Sequence, residues 1–117
     1  MKLIIPLHIE KELEKLKISI NNFLNFFKNT VLGSAKLIEI CAPLDDTKVY
    51  KAYLDNTKRA VIFCLHKKGI IYPVYVGDKK DNIAKNITVN IIRKNTEQWQ
   101  LKVLADIKNK RYKIRHY

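Results

Sequence analysis

Apolar side chains at Ile9, Leu13, Leu16, Ile20, Phe23, Leu24, Phe27 and Val31 recur at intervals of three and four, the stripe of an amphipathic helix. Glu10, Glu12 and Glu14 sit early in that stripe, where the positive end of a helix dipole favours carboxylates. Midway, β-branched Ile18 and Ile20 flank Ser19 and are followed by Asn21-Asn22, a combination that weakens helix. The pattern therefore predicts two helices, about Ile9–Lys17 and Ser19–Leu32, folded as an antiparallel hairpin with Gly33 as the C′ residue of the second. Phe23, Phe26 and Phe27 read as core. Ahead of the helices, Leu3-Ile4-Ile5 reads as a first strand.

From Leu37 onward the period changes. Leu37–Cys41, Lys48–Leu54, Ala60–Leu65 and Ile70–Val76 are short β-rich runs separated by turn residues. Pro43-Leu44-Asp45-Asp46 and Asp55-Asn56-Thr57 supply two turns, and Lys67-Lys68-Gly69 a tight hairpin connection with Gly69 free to take positive φ. Pro73 lacks an N–H, so its strand is expected to be at an edge, bulged or short. Beyond Gly77-Asp78-Lys79-Lys80-Asp81, Asn86 is placed to cap a short helix through Arg93, and Trp99, Val103, Leu104 and Ile107 form a second amphipathic stripe. The expected fold class is α+β: an N-terminal strand and helical hairpin packed on an antiparallel β-meander, with a helical C-terminal extension. One domain is expected, with residues 1–96 as its core and 97–117 as C-terminal helix and tail. The helices must cover one face of the sheet, leaving the other open to a ligand.

A chain of 117 residues is one domain's length, and its apolar content is too high for intrinsic disorder. Pro6 and His8 interrupt the opening apolar run and Glu10 ends it, so neither a signal peptide nor a membrane span is expected. Cys41 and Cys64 lack CxxC spacing and read as buried, reduced thiols of a cytoplasmic protein. The charge is what changes the picture. Met1–Thr57 holds eight Lys/Arg against seven Asp/Glu, whereas Lys58–Tyr117 holds fifteen against four. Such segregation points to an anionic partner, of which nucleic-acid phosphate is the commonest; a Lys-rich solvated surface is the plain alternative.

No glycine-rich phosphate loop, HExxH or zinc-spaced Cys/His cluster is present, so neither metal nor cofactor is expected. Ser19 and Ser34 lie in helix-start contexts without an elbow motif, which leaves nucleophilic hydrolase chemistry without support. What remains is a cationic and aromatic set. Lys51 and Tyr53 share a strand face, Lys58 and Arg59 open the next strand, and Tyr75 belongs to the fourth, followed by Lys79, Lys80 and Lys85. Lys and Arg would hold phosphates while Tyr stacks on exposed bases.

The run Val49-Tyr50-Lys51-x-Tyr53, then Lys58-Arg59-Ala60-Val61-Ile62-Phe63, then Ile71-Tyr72-Pro73-Val74-Tyr75-Val76 and the basic loop Gly77-Asp78-Lys79-Lys80 resembles the RelE/ParE superfamily of bacterial toxins from toxin–antitoxin pairs. The resemblance reaches to about Lys85. It implies a metal-independent endoribonuclease that cleaves mRNA, often on the ribosome, by 2′-OH attack on the adjacent phosphate. By position it matches Lys51 to a strand lysine, Arg59 to the strand arginine and Lys79 or Lys80 to the basic loop of the catalytic set; the cationic and aromatic pattern adds Tyr53, Lys58, Tyr75, Lys85 and Arg115 as residues expected to contact RNA. The family's tyrosine after the basic loop has no counterpart, since Ile83-Ala84-Lys85 stands there. The closing Arg115-His116-Tyr117 is similar to the C-terminal His-Tyr of the YoeB branch, which adds His116 and Tyr117 to the catalytic set. His8, abutting the first helix, and His66, at a hairpin turn, have weaker claims. The resemblance further implies a cognate antitoxin as partner and no membrane. Two other classes stand beside the ribonuclease: a ParE-like inhibitor of a protein such as DNA gyrase that cleaves nothing, and a non-catalytic basic module that binds nucleic acid.

Overall fold

A computed structural model describes residues 1–30, 37–44, 47–85 and 87–117. The elements run β1 (Lys2–Pro6), α1 (Leu7–Lys15), α2 (Ile20–Lys28), β2 (Leu37–Leu44), β3 (Thr47–Tyr53), β4 (Lys58–Leu65), a 3-10 turn at His66–Lys68, β5 (Ile70–Asp78), α3 (Asn82–Lys85), α4 (Val89–Lys108) and β6 (Tyr112–His116). The fold is mixed α+β, as the hydrophobic pattern predicts. Gly33, Asp45, Asp46 and Asn86, each given a turn or capping role by the pattern, lie outside the described residues, whereas α2 ends at Lys28 with Asn29 as its C-cap, short of the expected Leu32.

The break between the first two helices is a closed motif. Ile18 N–H donates to Leu13 O at 2.9 Å and Lys17 N–H to Glu14 O at 3.1 Å, with Lys17 at φ 59°. This is the Schellman arrangement, with lysine where glycine is usual. Ser19 then caps α2, its hydroxyl accepting from Asn22 N–H at 3.1 Å. The same motif ends α4: Arg111 N–H reaches Asp106 O at 2.7 Å, Lys110 N–H reaches Ile107 O at 3.1 Å, and Lys110 has φ 56°. It turns the chain back along the molecule, so residues 112–116 form a strand. The expected helical tail therefore stops at Lys108, and β6 lies antiparallel on β1 with Leu3 opposite Arg115.

One six-stranded sheet results, in the order β2-β3-β4-β5-β1-β6. Among the described residues only the β1–β5 pairing is parallel. Pro73 sits in a central strand, and a register shift between Val61 and Ile62 accommodates it; β1 meets β5 only at Ile70 and Ile71, so the missing N–H breaks no ladder bond there. Gly69 takes φ +63° in the turn before β5.

The central strands of the sheet are buried on both faces. Leu3, Ile5, Ala52, Ala60, Ile62 and Ile71 pack under Ile9 and Leu13 of α1 and Phe23, Leu24 and Phe27 of α2. On the other face Val49, Val61, Phe63 and Val74 pack under Ile92, Trp99 and Val103 of α4. This corrects the expectation of one open face. The stripe Trp99, Val103, Ile107 belongs to a twenty-residue helix capped by Thr88, whose hydroxyl accepts from Ile91 N–H at 3.3 Å, and that helix needs an apolar surface to cover. Among the described residues, no helix is long and apolar enough to cross a membrane.

Candidate functional site

Because side chains alternate along β3, Lys51 and Tyr53 lie on the α4 side of the sheet with Val49, and Arg59 lies there with Val61. Tyr53 is paired directly with Arg59 across the strands. The Arg59 guanidinium carbon stands 4.4 Å from the centre of the Tyr53 ring, and Lys51 Nζ 5.0 Å from it, so one ring serves two cations. Arg59 also clamps the β3–β4 turn: Nη1 donates to Asp55 O at 2.7 Å and Lys58 O at 3.0 Å, and Nη2 to Asn56 O at 3.2 Å. Opposite that turn, the next loop crosses at Lys79, whose N–H donates to Thr57 O at 2.7 Å. Lys51, Tyr53, Arg59, Lys79 and Lys80 thus converge on one end of the sheet.

The charges at this end differ in availability. Lys58 Nζ bonds Asp78 Oδ2 at 2.8 Å and Thr57 Oγ1 at 3.0 Å; the mutual bond raises the lysine pKa and lowers that of Asp78, so Lys58 is neutralised within the fold. Asp55 is held low, chiefly by the Thr57 N–H, and shapes the turn. Lys79, Lys80 and Lys85 are exposed and have no ion-pair partner among the described residues. They are the cations free to meet phosphate.

Three expected site residues lie elsewhere. Register places His116 opposite Lys2, and Lys2 beside Ile70, at the end of the sheet away from the Arg59–Gly77 pair. Tyr117 is fastened there, its N–H donating to Met1 O at 3.0 Å and its carbonyl accepting from the Met1 ammonium at 2.6 Å. Burial against the first core pushes its hydroxyl up to about 12. Arg115 turns back on the carbonyl of Ile114 at 3.1 Å. His116, Tyr117 and Arg115 therefore do not join Lys51, Arg59 and Lys79, because β6 runs along β1 and carries them to the far end.

Tyr75 is also spoken for. Its ring stacks on Trp99 with centroids 5.7 Å apart and an interplanar angle of 27°, which docks α4 and removes the ring from base stacking. Its hydroxyl, 3.4 Å from Asp81 Oδ2, is pushed up to about 12 by burial and then by Asp81. A Cβ at Gly77 would overlap that hydroxyl and stand 2.8 Å from Asp81 Oδ2. Gly77→Ala is expected to displace the tyrosine and cost about 1–3 kcal/mol, read as a lower urea midpoint together with altered Trp99 fluorescence.

A second group of polar residues escapes sequence reasoning. His8 Nδ1 lies 2.7 Å from Asp106 Oδ2, and His8 N–H donates to the same oxygen at 3.1 Å; Arg111 Nε stands 3.4 Å from Oδ1. The partners are 98 residues apart, so no local motif announces them. Beside this pair, between α1 and α4 and floored by β5, is a cavity of about 290 Å³ lined by His8, Glu12, Tyr75, Asp81, Trp99 and Lys102 with Ile9, Val74 and Val76. Among the described residues no group of three or more His, Cys, Asp or Glu is placed to hold a metal ion. Comparison with protein-family models, curated proteins and solved structures finds no match to this chain.

Proposed function

We propose that this chain is the toxin member of a RelE/ParE-like toxin–antitoxin pair, acting in the cytoplasm as an endoribonuclease on single-stranded mRNA. The observation that carries the reading is the convergence of Lys51, Arg59, Lys79 and Lys80 on one end of the sheet, around a tyrosine that already binds two cations. In the proposed reaction the ribose 2′-OH attacks the adjacent phosphorus and gives its proton to water, the P–O5′ bond breaks to leave a 2′,3′-cyclic phosphate and a 5′-oxygen that takes a proton from water, and the lysines offset the charge that develops on the phosphoryl oxygens. The element order supports the same reading, being the strand, helix pair and meander that the resemblance implies. A cognate antitoxin would offset the positive charge of the second half.

Arg59 is a poor probe of this function, because its guanidinium also holds the β3–β4 turn. The lysines are better, since Lys79 and Lys80 are exposed and Lys51, half-buried over the Tyr53 ring, makes no ion pair among the described residues. Lys51→Ala combined with Lys79→Ala and Lys80→Ala is expected to keep the urea midpoint within about 0.5 kcal/mol of the parent. The same variant should bind single-stranded RNA at least tenfold more weakly and with a shallower salt dependence. RNA cleavage should fall with it. Unchanged RNA affinity in the triple variant refutes the proposal.

One observation favours the non-cleaving alternatives: His116 and Tyr117, the two residues suited to move protons in the YoeB-like scheme, are at the opposite end of the sheet. RNA bound tightly but left intact would assign the chain to the basic binding modules. Growth arrest with intact transcripts would assign it to the inhibitors of a protein target such as gyrase.

A further inference from the structure

The cavity between α1 and α4 has features that the phosphate grip does not use. His8 and Glu12 are four residues apart on α1, and Lys102 and Asp106 four apart on α4, so each pair shares a helix face. The bond from His8 to Asp106, 2.7 Å long, therefore pins the two helices one turn away from Glu12 and Lys102. His8 Nε2 is buried with no hydrogen-bond partner among the described residues, so the ring acts through Nδ1 and serves as wall and positioning residue. Glu12 and Lys102 then line one space together with Asp81, against Trp99. Among the described residues Glu12 makes one ion pair, an exposed contact to Lys15 at 3.3 Å, which holds it weakly.

Besides His8 and the Tyr75 hydroxyl, which donates to Asp81 Oδ2 at 3.4 Å and leaves Oδ1 to a ligand, the lining combines two acceptor-only carboxylates with one donor-only ammonium. A phosphate would meet both carboxylates, and a guanidinium or ammonium would meet Lys102. A neutral flat group with adjacent donors and an acceptor on one edge satisfies all three. Guanine presents that edge, with O6 as acceptor beside the N1–H and N2–H donors. The volume, about 290 Å³, lies at the small end of ligand pockets, roughly 300–1,000 Å³, which suits one base. Asp81 directly follows Lys79 and Lys80, and Tyr75 covers Gly77 opposite Arg59, so the cavity adjoins the basic end.

We infer that this cavity is a guanine pocket that sets base preference for RNA held at the basic end, with Glu12 and Asp81 accepting from N1–H and N2–H and Lys102 donating to O6. The inference rests on the RNA-directed reading above. Exposed, single-stranded bases are the form in which such an edge is read.

Trp99 is the only tryptophan and lines the cavity, so its fluorescence reports occupancy. Titration of the full chain with guanosine is expected to quench it saturably. Inosine, lacking the N2 amine, should bind about tenfold more weakly, and adenosine, cytidine and uridine at least tenfold more weakly than guanosine. Glu12→Gln and Asp81→Asn, at positions with solvent access, should each weaken guanosine at least tenfold, while the triple lysine variant should bind guanosine as the parent does. Equal quenching by all nucleosides, or none by guanosine, overturns the pocket even if RNA still binds at the lysines. Selective guanosine quenching in a chain that binds no RNA supports the pocket and removes the RNA reading instead.

Discussion

Replacing Trp99 by alanine is expected to cost about 3–5 kcal/mol, the usual range for removing a large aromatic side chain from a core. Trp99 is 6% exposed and joins Val61, Phe63 and Val74 of the sheet to Ile92 and Val103 of its own helix. It also carries the stack with Tyr75 at 5.7 Å, a geometry that adds about 0.5–1.5 kcal/mol beyond area burial. No disulfide is present among the described residues, where Cys64 is free, so nothing covalent compensates. Losses of this size are comparable to the whole stability of a small domain, about 5–15 kcal/mol. The variant should therefore show an early transition in urea, with exposure of the sheet face that α4 covers, read as dye binding before the main unfolding. A drop below about 1 kcal/mol would mean that α4 contributes little to the second core.

Asp106→Ala is expected to cost about 3 kcal/mol, near the low end for breaking a buried pair, since the side chain of His8 is 26% exposed and that of Asp106 9%. The change strips an acceptor from the His8 backbone N–H, from His8 Nδ1 and from Arg111 Nε. Asp106→Asn, which keeps one acceptor oxygen, should lose less. Burial pushes the Asp106 carboxyl up, but the side-chain and backbone bonds from His8, with the charges of His8 and Arg111, outweigh it and leave the pKa lowered. A lowered carboxyl pKa means that the unfolded chain binds the proton first as pH falls. The stabilisation is therefore complete above the ordinary Asp value of about 3.9 and is lost as pH drops through the lowered folded value. Urea midpoints of parent and Asp106→Ala should differ by a constant amount from pH 7 to pH 5 and converge toward pH 3. A gap as wide at pH 3 as at pH 7 would show that the carboxylate charge contributes nothing.

Much of the fold is legible in local pattern because its causes are local. The stripe broken at Ile18-Ser19-Ile20 became two helices because Lys17 tolerates positive φ and Ser19 caps, both decided within a few residues. Asp55-Asn56-Thr57 turns because the Asp55 carboxylate binds the Thr57 and Lys58 N–H groups at 2.7 and 2.8 Å. Pro73 correctly signalled an irregular strand. The covered second face left a trace as well: Ala60–Leu65 is apolar without alternation, the mark of a strand buried on both sides, and β4 is indeed buried from Ala60 to Cys64.

The candidate site divides along the same line. Lys51, Tyr53 and Arg59 are near in sequence and adjacent in a hairpin, so alternation and one turn suffice to bring them together. His116 and Tyr117 depend on where the last segment docks, and the polar character of Arg111–Tyr117 hides a strand whose stability comes from pairing with β1 rather than from an apolar face. The same holds for His8, Glu12, Lys102 and Asp106, which belong to helices far apart in the chain.

Side-chain periodicity, turn chemistry and the excess of lysine and arginine in the second half are properties of short stretches, and they suffice to specify the helix pair, the meander and a basic end. Which face α4 covers, which edge β6 completes and which imidazole meets Asp106 are questions of packing between distant segments. Those contacts repay the entropy of closing long loops only once the whole core forms, so no short window of residues encodes them.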